Sequence, residues 1–167
     1  MNATRKSSGF KILINMATLL DELSQLISAL DENDIEYAVC GGLSMAIHGF
    51  ARATLDIDVL IRAESLEKAY EVAAEKGFDI RELDISLKER AVEIRRVSKI
   101  DDNGEVLSLD LLLVTPHVED VWASRETIDF LGKRLWVVSR EGLIKMKQLA
   151  GRPQDLADIE RLENEES

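Results

Sequence analysis

Apolar positions along the chain follow two periods, and the switches between them mark the elements. From Leu19, the residues Leu23, Leu26, Ile27 and Leu30 recur at helical spacing, with Thr18 and Asp21 arranged like an N-terminal capping pair. This predicts an amphipathic first helix. After a polar turn over residues 31–34, the run Tyr37-Ala38-Val39-Cys40 predicts a short buried strand that stops at Gly41 and Gly42, and a short helix is expected over residues 43–48. Residues 55–61 alternate acid and aliphatic and then become wholly apolar, the pattern of a strand running from an exposed rim into a core.

Ser65 is placed to cap a further helix, whose Leu66, Ala69, Tyr70, Ala73 and Ala74 form one face and which Gly77 ends. Residues 92–97 and 106–114 predict two antiparallel strands joined through a turn at Asp101 to Gly104, and residues 135–138 a shorter strand. Two helices close the chain, over residues 140–149 and from Pro153, separated by Gly151. The order predicts an α/β (α+β) fold with a mixed sheet flanked by helices. A single domain over residues 1–167 is expected, with residues 1–9 as a flexible tail and residues 140–164 as a C-terminal helical pair.

Composition narrows the chemistry. The chain has 167 residues, 46% hydrophobic and 32% charged, with no stretch approaching the roughly 20 consecutive apolar residues of a membrane span. A secretory signal reads poorly at the N-terminus, so a cytoplasmic protein without membrane contact is expected. One cysteine and two histidines cannot form a Cys/His zinc site, so any metal must be bound mainly by oxygen. The formal charge of −11 opposes broad adhesion to nucleic acid, although a local basic groove remains compatible with it.

The candidate chemistry lies in three acids. Side chains alternate across a strand, so Asp56 and Asp58 project from one face while Ile57 and Val59 enter the core on the other. Two adjacent carboxylates repel unless a cation or a shared proton compensates, and a hard divalent cation such as magnesium suits oxygen ligands and phosphates. Asp110 is the one charge within Leu109 to Val114, and a buried carboxylate is costly unless paired. If its strand lies beside the first, the three acids can hold two cations for phosphoryl or nucleotidyl transfer. The competing readings are an exposed strand end for Asp56 and Asp58, and a salt-bridged structural acid for Asp110. Upstream, Gly41 and Gly42 join a strand to a helix, where backbone amides can approach phosphate, and Ser44 can add a hydroxyl.

Residues 37–61, YAVCGGLSMAIHGFARATLDIDVLI, resemble the signature of the DNA polymerase beta-type nucleotidyltransferase superfamily, most closely its small AbiEii-like members, which include toxins of toxin-antitoxin systems. Gly41, Gly42, Asp56, Asp58 and Asp110 match the glycine turn, the Asp-x-Asp strand and the later acid. Arg52 and Thr54 fit the Arg-x-Thr-x-Asp-x-Asp form of the small members, and residues 146–162, MKQLAGRPQDLADIERL, resemble their C-terminal segment. The resemblance implies the nucleotidyltransferase fold, a nucleoside triphosphate as substrate and magnesium or manganese as cofactor. It also implies that Lys147 contacts the phosphates, with Asp155 orienting it. The acceptor stays open among an RNA such as tRNA, a protein and a small molecule, whereas an antitoxin protein is a partner that the resemblance implies. Gly42 departs from the serine common beside the first glycine, and the chain leaves little room for the separate substrate-binding domain of larger relatives. A noncatalytic member that binds a nucleotide or a partner is the alternative.

Other residues have plainer readings. Lys147 suits a solvent-facing helix position, Asp155 and Asp158 the favourable start of a helix, and Arg52 a pairing with Asp58. His48 reads as a satisfied helix-end histidine and Cys40 as a small buried hydrophobe. Trp122 and Trp136 read as core or interface anchors, with nucleobase stacking as the alternative.

Overall fold

The computed structural model describes residues 3–164, with side chains from residue 16 onward. In chain order the main elements are α1 (Ala3–Glu32), β1 (Tyr37–Cys40), α2 (Gly41–Ile47), β2 (Asp56–Ile61), α3 (Leu66–Glu75), β3 (Ile80–Arg81), β4 (Ile85–Leu87), β5 (Val92–Ile100), β6 (Val106–Leu113), α4 (Glu119–Ala123), β7 (Glu126–Phe130), β8 (Lys133–Val137), α5 (Arg140–Ala150) and α6 (Pro153–Asn164). All strands join one mixed sheet in the order β3-β5-β6-β2-β1-β8-β7, with β4 also paired to β5. The α/β fold with a mixed, helix-flanked sheet is therefore as the sequence predicts.

Two apolar layers sandwich the sheet. Ile57, Val59 and Ile61 of β2 and Leu109 and Leu111 of β6 face α1 and α3, meeting Leu23, Leu26, Ile27 and Leu30 of the first and Ala69, Val72 and Ala73 of the second. The opposite face carries Ala38, Cys40 and Leu60 against Trp122 of α4, Leu143 of α5 and Leu162 of α6. Alternation along β2 thus sends odd positions to one layer and even positions to the other. Asp56 and Asp58 emerge on the side of α5 and α6.

Several local expectations need correction. The first helix starts at Ala3, so it takes in residues 3–9 and runs through Thr18 and Asp21; instead of capping, Asp21 accepts a hydrogen bond from Gln25 Nε2 one turn on, at 3.0 Å. Ser65 makes no side-chain cap, because a 3-10 turn over Ala63–Ser65 already holds it in helical conformation. Ser139, by contrast, caps α5 by accepting from the Gly142 amide, and Gly151 ends that helix at φ +64, a left-handed conformation in which glycine carries no Cβ penalty. The short strands β3, β4 and β7 were not expected.

Candidate active site

Register brings the three acids together. Strands β2 and β6 are parallel with Asp58 directly beside Asp110, and Asp56 beside Ser108. On the other flank of β6, antiparallel β5 sets Arg96 opposite Asp110. One row across the sheet therefore reads Cys40, Asp58, Asp110, Arg96. The three acids line one cavity of about 560 Å³, together with Gly41, Gly42, Arg52, Thr54, Lys147 and Asp155. Ser44 is the exception: it is fully buried, and its hydroxyl donates to the Gly41 carbonyl at 2.7 Å. It is spent within α2 and absent from the cavity wall.

The acids burden one another. Burial, then the charges of Asp110 and Asp56, push the Asp58 carboxyl up to about 7. Burial and Asp110 also raise Asp56, with Arg96 acting in the other direction. Asp110 is 4% exposed and is compensated directly, since Arg96 Nε donates to Oδ1 at 2.7 Å and its Nη2 to Oδ2 at 2.9 Å. The same guanidinium lies 3.8 Å from Asp56. Asp110 is thus salt-bridged, as one sequence reading held, and it faces the other two acids as well.

The glycine pair owes its identity to these side chains. Gly41 has φ +63, and a Cβ there would collide with the Asp58 carboxylate; a Cβ on Gly42 would lie 2.7 Å from Thr54 Oγ1. The tight turn is what lets the acid strand and its preceding loop close against β1 and α2. Thr54 itself approaches the Asp56 carbonyl at 3.4 Å.

A second charged cluster borders the acids. Lys147 is 5% exposed, so it is no solvent-facing lysine, and its Nζ donates to Asp158 Oδ2 at 2.8 Å while Asp155 Oδ1 lies 3.9 Å away. Asp158 is therefore its nearer partner. Arg52 pairs with Asp158 as well, at 3.0 Å, in place of the expected Asp58. Asp155 instead receives the Arg152 backbone amide at 3.1 Å and its guanidinium Nε at 2.7 Å. Burial opposes ionisation of Asp158, but hydrogen bonds from Lys147 and Gln154 and the charges of Lys147 and Arg52 outweigh it and hold the carboxyl below its ordinary value.

Sequence reasoning missed Arg96 and Arg152 and gave Asp158 only a helix-dipole role. Arg152 stood in the quoted Arg-Pro motif, and Arg96 was detectable from the hairpin centred near residue 103, which pairs it with Asp110. His48 Nε2 lies 2.8 Å from the Val138 carbonyl, and Cys40 is buried, as read from the sequence. Trp122 is a buried core residue under Arg125, and neither it nor Trp136 lines the cavity.

The donor set suits a hard cation. It offers carboxylate oxygens whose mutual repulsion an ion would relieve. As the side chains stand, no three His, Cys, Asp or Glu groups among the described residues cluster closely enough to hold one ion, and Asp110 has both oxygens engaged by Arg96.

The family follows from residues 6–146, which match the model of a family described as uncharacterised nucleotidyltransferase. This chain belongs to that family. Solved structures share the nucleotidyltransferase fold at low identity. A Thermotoga maritima protein assigned as a nucleotidyltransferase matches with TM-score 0.62 and 16% identity, covering 89% of this chain and 94% of its own. The lincosamide antibiotic adenylyltransferase LnuA, bound to lincomycin, gives 0.59 and 14%, over 86% and 96%. ANT(2'')-Ia in complex with adenylyl-2''-tobramycin gives 0.60 and 14%, over 87% of each chain. No curated protein matches in sequence. No helix among the described residues of this nucleotidyltransferase is long and apolar enough to cross a membrane.

Proposed function

We propose that this nucleotidyltransferase moves a nucleoside monophosphate from a nucleoside triphosphate to a hydroxyl acceptor, with Asp56, Asp58 and Asp110 as its metal-binding acids. The observation that carries the reading is the Asp58–Asp110 pairing across β2 and β6, in a cavity shared with Lys147 and Arg52. Two of its structural relatives, an adenylyltransferase bound to lincomycin and an enzyme bound to an adenylylated tobramycin, fit this class of reaction.

The roles follow from charge and position. Gly41, Gly42, Arg52, Thr54, Lys147 and Arg152 border the triphosphate, while Asp155 and Asp158 hold the three cationic side chains in place. The acids would hold magnesium or manganese, which when bound stabilises negative charge on attacking and leaving oxygens. The acceptor oxygen forms a bond to the α-phosphorus as the bond to the β-phosphate oxygen breaks, and pyrophosphate departs. Asp110, on β6, the acid-bearing strand farther from the glycine turn, receives the hydroxyl proton.

A second reading is favoured by one feature. The two hydrogen bonds from Arg96 neutralise Asp110 without a metal, as suits a noncatalytic nucleotide-binding member. A toxin role with an antitoxin partner rests on the motif resemblance alone. Incubation with each α-labelled nucleoside triphosphate, magnesium, and either total RNA or cell extract separates the readings. The transferase reading expects label on an acceptor with wild type and none with Asp56→Ala; nucleotide binding without transfer in any extract would leave the binding reading.

A further inference from the structure

The cavity continues past the acids, and its far end is built of hydrocarbon. Two residues along the strands from the Asp58–Asp110–Arg96 row, the same sheet face carries Leu60, Leu112 and Ile94 in register. Beyond these, Val92 of β5 pairs with Leu87 of β4. Met146 and Leu149 of α5 line the same space. Leu87, Val92, Leu112, Met146 and Leu149 are each only partly buried, so the chain leaves this apolar surface uncovered. Its one acid, Glu93, is already engaged by Ser86 at 2.8 Å and Arg95 at 3.0 Å.

We propose that this end of the cavity binds the apolar body of a small hydroxyl-bearing acceptor. The inference rests on the nucleotidyl-transfer reading and specifies its substrate class. In-line displacement places the attacking oxygen opposite the departing pyrophosphate. The glycine turn follows β1, on one side of the acid-bearing strands, whereas Leu87, Val92 and Ile94 of the hydrocarbon wall lie on β4 and β5, on the other. An acceptor entering there reaches the α-phosphorus from the required direction, past Asp110. A cavity of about 560 Å³ is of the size that small ligands occupy. RNA is disfavoured by the formal charge of −11, and an extended peptide would find few hydrogen-bond partners along aliphatic side chains.

The test uses the full chain with 2-(1-naphthyl)ethanol as probe, followed by its fluorescence and by calorimetry with and without α,β-methylene-ATP. Leu112→Gln and, on the opposite wall, Met146→Gln each place an amide in the apolar end; folding of both is checked by thermal melting. The expected result is saturable probe binding by wild type, weakened at least tenfold in either folded variant, with nucleotide affinity changed less than twofold. Label from α-labelled ATP should also reach the probe. Equal probe binding by wild type and variants, or none by wild type while nucleotide still binds, overturns the proposal. Loss of nucleotide affinity in the same variants would assign the wall to the nucleobase, and label transfer to RNA or protein undiminished by them would assign the acceptor elsewhere; both overturn it while leaving the transferase reading intact. No nucleotide binding and no transfer to any acceptor would remove the transferase reading, and this inference with it.

Discussion

Asp58 and Asp110 stand side by side across the parallel pair β2 and β6, with Asp56 two residues before the first of them. No packing requirement explains two carboxylates in that position, since the registers on either side, Ile57 beside Leu109 and Val59 beside Leu111, are aliphatic. Arg96 compensates Asp110, whereas burial and repulsion at Asp58 lower the stability of the empty fold and a cation would relieve them; the predictions that follow separate those effects.

Replacing Asp58 by Asn should stabilise the metal-free protein. The folded carboxyl titrates at about 7 because of burial and the charges of Asp110 and Asp56, whereas an unfolded Asp titrates near ~3.9. A raised folded value means that stability falls as pH climbs from about 4 to about 7 and stays low above it. In chelator at pH 8, Asp58→Asn should therefore melt higher, by about 2–4 °C for each ~1 kcal/mol gained. The difference should vanish near pH 4. An equal or lower melting temperature at pH 8 would count against the repulsion.

Arg96 should be replaceable by a divalent ion. Removing its guanidinium leaves a buried carboxylate without its partner, a loss of about 3–5 kcal/mol for fully buried pairs and less for this partly exposed one. Arg96→Gln should melt lower in chelator and recover in millimolar magnesium, while wild type responds less. A magnesium-independent loss would mark Arg96 as purely structural.

The ion pair between Lys147 and Asp158 predicts acid sensitivity. Since the folded Asp158 carboxyl lies below its ordinary value, its contribution is present above the unfolded value near ~3.9 and is lost as pH falls through the folded one. Urea titrations between pH 5 and pH 2 should show a steeper loss for wild type than for Asp158→Asn. At pH 7 that variant should already be less stable, by about 3–5 kcal/mol if Lys147 stays buried. Parallel pH profiles would contradict the pairing.

Gly41→Ala tests the turn. The residue adopts φ +63, which costs a non-glycine residue about 1–2 kcal/mol, and the new methyl collides with the Asp58 carboxylate. Displacing that acid by about 1 Å should reduce label transfer by about 10²-fold. Activity within a few fold of wild type would show that the turn does not position Asp58.

Much of this was legible in the sequence, for reasons particular residues make plain. The run Tyr37 to Ile61 announced β1, the glycine turn and the acid strand because β1 is buried throughout and stops at two glycines, and β2 alternates at its start before it becomes wholly buried. Strands β3, β4 and β7 leave no such mark because none of their side chains is fully buried and Ile80–Arg81 and Ile85–Leu87 are too short to show a period. Asp56, Asp58 and Asp110 were recognisable as a set by charge in apolar surroundings. Their partners were not: which acid Arg52 and Lys147 meet depends on where α6 packs, and that packing makes Asp158 the shared acceptor. Ser44 looked available in sequence only because its bond to the Gly41 carbonyl is a property of the folded turn.

The central claim is that the acids form a nucleotide-dependent cation site. Manganese binding, followed by electron paramagnetic resonance with and without α,β-methylene-ATP, tests it without requiring the acceptor. Wild type should bind manganese at least tenfold more tightly with the nucleotide present, and Asp110→Asn should lose that gain. Manganese affinity that ignores the nucleotide, or that is the same in Asp110→Asn, would contradict the account.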